Sequence, residues 1–199
     1  IRTTGYRVNH AARNLRMQRA GAVLILVPSL SNPFFSQILA GISETLRAEG
    51  LSLLVLDTRQ TDPGAAGRGL QAYLNRSRAD GVIVLDGSLD RSLFEHAACP
   101  PVVQACEWID GLHGPKVLAD NQTGARLAVE HLLALGHRRI LHLTGPASNS
   151  LSVSRAAGVA EALEAAGLPP APCIEGAFSL GSGHAASAGV LSLPERPTA

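Results

Sequence analysis

Three aspartates, Asp57, Asp86 and Asp120, each stand at or just after the end of an apolar run. A carboxylate there can bind a sugar hydroxyl, a metal or a proton, and it serves equally well as a turn or helix-cap residue. No partner stands beside these aspartates at the spacing that chemistry needs. HExxH, paired Cys/His and close carboxylate clusters do not occur in the sequence, so no metal is assigned. His131 and His137 are six residues apart, which puts them on different faces of a helix. The seven histidines therefore read as structural or surface residues. Ser148, Ser150, Ser152 and Ser154 crowd one stretch without a visible base, and no GxSxG marks a nucleophile elbow. The stretch 181-GSG-183 lacks the flanks of a phosphate loop, and 28-PSLSNPFF-35, after the first apolar run, has no glycine. No catalytic residue and no cofactor is assigned.

Two places have the chemistry of binding. In 31-SNPFF-35, Phe34 and Phe35 stand at the mouth of the first strand. Aromatic faces stack on flat ligands and on the C–H faces of sugars. The alternative puts one ring in the core and the other on a subunit contact. Arg155 is read at the start of a helix, where the helix dipole favours an acid. A cation in that unfavourable place points to a ligand, beside the plain reading of a solvated arginine.

These residues are carried by alternating elements. The runs 22-AVLILV-27, 51-LSLLVLD-57, 81-GVIVLD-86, 102-VVQAC-106, 116-KVLA-119, 139-RILHLTG-145 and 173-CIEGAF-178 predict strands. Between them, 34–50, 64–80, 89–98, 121–136, 153–167 and 183–193 predict helices, several closed by glycine. Repeated βα units predict an α/β fold with parallel, doubly wound sheets, and ligands belong at the carboxyl ends of such strands. With 46% hydrophobic residues in a chain of 199, there is material for one or two small domains, and 4% aromatics make their cores aliphatic. No apolar stretch reaches the about 18 residues of a membrane span. Cys99, Cys106 and Cys173 form no CxxC and are odd in number, which suits a reducing compartment better than a disulfide framework. With no signal-peptide layout at the start, a cytoplasmic location is expected.

Charge is unevenly placed. Residues 1–43 hold Arg2, Arg7, Arg13, Arg16 and Arg19 and no acid, which leaves 12 basic and 16 acidic residues in the rest. Clustered arginines ahead of a mildly acidic body suit either a polyanion or mere solubility. If 9–16 is helical, Val8, Ala12 and Leu15 share one face, with Arg13 and Arg16 on its flanks. A helix this short orders only on a partner. Such a helix with a bare leucine suits the minor groove of DNA, where apolar wedges enter between base steps and arginines neutralise phosphates.

Taken together, 5-GYRVNHAARNLR-16, 23-VLILVPSLSNPFFSQILAGI-42, 120-DNQTGARLAVEHLLALGHRRI-140 and 155-RAAGVAEALEAAGL-168 resemble the LacI/GalR transcriptional regulators, in order and across essentially the whole chain. The resemblance implies a hinge helix over Asn9–Arg16, with Asn9, Ala12, Arg13, Leu15 and Arg16 on operator DNA and Leu15 as the wedge. It implies a periplasmic-binding-protein-like core of two α/β subdomains that takes a small effector, a sugar or nucleobase. Phe34, Phe35 and Arg155 match effector-binding positions, and Asp120, of the DNxxG motif, is a further candidate. A homodimer is implied, because a palindromic operator needs two-fold protein symmetry. The resemblance divides the chain into a linker and hinge over 1–19, an N-terminal subdomain over 20–138 and a partial C-terminal subdomain over 139–199. The family's helix-turn-helix would precede Gly5 and its core would continue past Ala199, so the chain is expected to be cut short at both ends. Val8 stands where the family usually has proline, and Trp108 where it usually has a polar or basic residue. The expected function is effector-controlled repression without enzymatic turnover. The alternative is the sugar-binding component of a periplasmic transporter, while an α/β enzyme has the least support.

Overall fold

The computed structural model describes residues 19–59 and 66–199. The hinge residues Asn9, Ala12, Arg13, Leu15 and Arg16 lie outside the described residues. The chain divides into two units, Ile1–Val117 and Leu118–Ala199.

The first unit is built on the run that the sequence makes most apolar. Strand β1 (Ala22–Val27) lies between β2 (Ser52–Asp57) and β3 (Gly81–Val84), and β4 (Val102–Ala105) and β5 (Lys116–Val117) complete a parallel sheet in the order β2-β1-β3-β4-β5. In register, Ile25 of β1 stands between Val55 of β2 and Ile83 of β3. Side chains alternate across a strand, so β1 feeds two cores. Leu24 and Leu26 pack with Val82, Val84, Leu70, Leu74 and Phe94 on one face. Ile25 and Val27 pack with Leu85 and Phe35 on the other, under Ile38, Leu39 and Ile42 of helix α1 (Pro33–Ala48). Burying each such aliphatic side chain contributes about 1.5–3 kcal/mol relative to leaving it in water. Strand β2 is an edge and is less covered, with Leu54 and Val55 exposed.

Several elements are shorter than the sequence predicts, and two helices most of all. The helix expected over 64–80 is α2 (Ala66–Gln71), followed by turns. The expected helix over 89–98 is a single 3-10 turn, Arg91–Phe94, capped by Asp90. Glycines weaken the first, and the second is too short to propagate.

In the second unit, helix α3 (Asn121–Ala134) packs on α4 (Ser150–Ala165), while β6 (His142–Thr144) and β7 (Cys173–Glu175) pair in parallel ahead of α5 (Leu180–Leu191). Leu141 donates to the carbonyl of Ala199, and Thr198 to that of Arg139, so the residues at 198–199 lie alongside 139–141. Val129, Ile140, Val159, Ala162 and Leu163 form the core. This packing places α3 with the second unit, whereas the sequence reading places it with residues 20–138. The apolar face of α3 is closed by α4, and that outweighs its position in the chain. At the crossing, a Cβ on Gly158 would lie 2.0 Å from the carbonyl oxygen of Gln122. Glycine is what lets the two helix backbones meet there.

Candidate functional site

At the carboxyl end of the first unit's sheet, the aspartates fasten loops. Asp57 accepts from the backbone N–H of Leu30 at 2.9 Å and of Arg59 at 3.0 Å. Asp86 is buried and accepts from the Thr58 hydroxyl, the Ser88 hydroxyl at 2.6 Å and the Ser88 N–H at 2.9 Å. Glu107 accepts from the Gly87 N–H at 2.9 Å. Fully buried Gln104 donates to the Leu112 carbonyl at 3.0 Å and accepts from the Ile109 N–H at 2.8 Å, holding the loop after β4 from within. These bonds satisfy groups whose burial would otherwise cost free energy. Among the described residues no group of three or more His, Cys, Asp or Glu is placed to hold a metal ion.

The aromatic pair divides. Asn32 caps α1 through its side chain, accepting from the Phe34 N–H at 3.0 Å, with Pro33 in the first helical turn. That start turns Phe35 into the core, where it is 5% exposed, and leaves Phe34 57% exposed. The rings meet edge to face, with centroids 5.1 Å apart. The two rings thus have different surroundings, one in the core and one at the surface. Consecutive residues at a helix start point to different sides, and Phe34 is the ring on offer. Trp108, beyond β4, lies under the Lys116 ammonium, which is 5.9 Å from its ring centroid.

In the second unit Arg155 is the centre. Asn149 caps α4, accepting from the Leu151 N–H at 2.9 Å, so the helix begins at Ser150 and Arg155 lies in its second turn. The expectation that Arg155 opens the helix is corrected, and the argument from the dipole falls with it. Geometry replaces it: the Arg155 Nε–H donates to Asn121 Oδ1 at 2.8 Å. Its guanidinium carbon is 6.0 Å from the centroid of the Phe178 ring. That ring lies against Gly145, where an added Cβ would stand 2.0 Å from Phe178 Cζ. Phe178 holds a φ of 51° and is 40% exposed. The left-handed backbone is unusual for a bulky residue, and such conformations cluster where a side chain is held for a task. Burial, and then the Arg155 charge, push the imidazole of His142 on β6 below its ordinary pKa.

Asp120 is the N-cap of α3, accepting from the Thr123 N–H at 3.0 Å, and this bond holds its pKa down. Its carboxylate has a structural use of its own. Asn121 and Phe178 are not among the site residues expected from the sequence. Asn121 follows Asp120 directly inside the DNxxG motif, and Phe178 stands at the carboxyl end of a predicted strand, which are the signals that point to them.

A family model described as periplasmic binding proteins and sugar binding domain of LacI family matches residues 20–182. The repressor CytR of Escherichia coli strain K12 is 32% identical over 100% of this chain, which spans 59% of that relative. Among solved structures, a complex of the transcriptional regulator CelR with cellobiose superposes with a TM-score of 0.73 and 30% identity, covering 84% of this chain and 54% of that one. A Lac repressor dimer bound to operator and the anti-inducer ONPF gives a TM-score of 0.77 and 28% identity over 94% of this chain and 57% of its own.

Proposed function

We propose that this chain, which belongs to the family of periplasmic binding proteins and LacI-type sugar-binding domains, is the effector-receiving core of a LacI-type transcriptional repressor. The observation that carries the effector role is the Arg155 guanidinium, held by Asn121 above the exposed Phe178 ring at the carboxyl end of β6 and β7. A cation with free N–H donors beside an aromatic face suits a sugar, whose oxygens accept and whose C–H face stacks. A nucleoside joins both features. Phe34, at the carboxyl end of β1, offers a second aromatic face. Phe35 acts behind it as a packing residue, and Asp120 acts through the start of α3.

Repression would follow from linkage. The effector shifts the population of states that let residues 9–16 fold on operator DNA, with Leu15 as the wedge and Asn9, Ala12, Arg13 and Arg16 beside it. The protein acts as a homodimer in the cytoplasm, by binding and without turnover. No helix among the described residues is long and apolar enough to cross a membrane. Named relatives that are repressors and regulators favour this reading over a transporter component.

The test takes the gene product that contains this chain. Titration calorimetry with D-glucose, D-ribose, cellobiose and cytidine reads the effector, and selection from a random duplex pool reads the operator. Binding of at least one probe, and a duplex whose affinity changes with that probe and falls in Leu15→Ala, is the expected result. A protein that binds a sugar but ignores every duplex would instead be a transport component.

A further inference from the structure

Resting on the effector role proposed for Arg155, we infer that Asn121 is a positioning residue: it aims the Arg155 guanidinium and leaves that group's charge for the ligand. Asn121 is the first residue of α3, and both ends of its amide are committed. Its Nδ2 donates to the Ala119 carbonyl at 3.0 Å, and its Oδ1 accepts from Arg155 Nε at 2.8 Å. Reversing the amide would face donor to donor at Arg155 and acceptor to acceptor at Ala119, so the network fixes its orientation.

The helices supply the register. Gly158 seats α4 against the backbone of Gln122, and Gln122 Nε2 donates to Glu161 on the same helix. Asn121, Gln122, Arg155, Gly158 and Glu161 thus form one seam between α3 and α4. A guanidinium is planar, so a bond at Nε sets the plane, and the Nη–H donors point onward. No hydrogen bond of those Nη groups is found among the described residues. The ion pairs there are Arg91–Glu95 and Arg126–Glu130, and neither involves Arg155. The group fitted to such a fork is a pair of neighbouring oxygen acceptors, such as the vicinal hydroxyls of a sugar ring.

A neutral amide is the informative choice at position 121. Aspartate would hold Arg155 as firmly but pair off its charge, and alanine would leave the charge but release the long side chain. The two substitutions therefore separate aim from charge.

The experiment labels the chain with 15N and identifies the Arg155 Nε–H resonance by its disappearance in Arg155→Lys. Slow exchange with solvent is expected in the parent, faster by about tenfold in Asn121→Ala, the order set by losing one hydrogen bond. Calorimetry with the same four probes forms the second arm. For the probe that binds the parent, Asn121→Ala and Asn121→Asp each weaken affinity by about tenfold. Asn121→Ala costs nothing further when Arg155 is already alanine, as one shared interaction requires. Fast Nε–H exchange in the parent, parental affinity in Asn121→Ala, or an equal loss on the Arg155→Ala background would each overturn the inference. A parent that binds none of the probes counts against the effector reading. The exchange arm then decides the positioning alone: slow exchange that depends on Asn121 supports it, and any other result refutes it.

Discussion

Gly158→Ala is the perturbation that best tests how the second unit is held together. The added Cβ would stand 2.0 Å from the Gln122 carbonyl oxygen, 2.9 Å from its carbon and 3.0 Å from the Arg126 nitrogen, all backbone atoms of α3. No side chain can swing aside, so the helices must part. Reaching even 3.0 Å from that oxygen takes about 1 Å of separation, and a gap of this size forfeits roughly a quarter to a half of each dispersion contact it opens. Val129, Val159, Ala162 and Leu163 lie along the same seam and lose contact together. Overpacking of this kind costs about 1–3 kcal/mol, and here the upper end applies because the obstacle is backbone. Alanine's helix propensity returns about 1 kcal/mol. The net loss is about 2 kcal/mol, a fall of roughly 10 °C in melting temperature for a unit of this size. Gly124→Ala is the control: it lies in α3 with nothing within 4 Å of an added Cβ, so only propensity acts and stability rises. Thermal and urea melts of the chain measure both. Gly158→Ala melting at or above Gly124→Ala would refute the close-crossing argument.

The aromatic pair should separate by assay. Phe35→Ala empties a buried site and costs about 3–5 kcal/mol of stability, while Phe34→Ala changes stability little and weakens the sugar measured by calorimetry. His142 gives the chain a pH signature. Its folded pKa lies below the ordinary value of 6.5, because burial and then Arg155 disfavour the charged ring. Above the unfolded pKa it has no effect; as pH falls below about 6.5, the unfolded chain binds the proton more readily and stability declines, until pH passes the folded pKa. Melting temperature against pH should therefore drop more steeply in the parent than in His142→Gln. In Arg155→Gln the His142 resonance should titrate at higher pH.

What the sequence disclosed, and what it withheld, follows from the range of the interactions. Strand β1 was legible because six apolar residues in a row admit one environment, a strand covered on both faces. The motif residues were legible as positions but not as orientations. Phe34 and Phe35 look equivalent until the Asn32 cap fixes which side of α1 each faces. Arg155 looked like a charge at a helix start because the serines ahead of it hid the Asn149 cap, which adds nearly a turn to α4. The shortfall of the second helix, which ends at Gln71, is a contest between weak local propensity and tertiary packing that composition alone does not decide. Asn121 was harder still, since its importance lies in one bond to a residue 34 positions away. Even so, the seam that makes this bond is local in kind: a glycine at 158 and an amide at 121 and 122, each unremarkable alone. Their meaning appears only when α3 closes on α4. The bond that orients Arg155 is thus set by a helix–helix contact that neither segment announces alone.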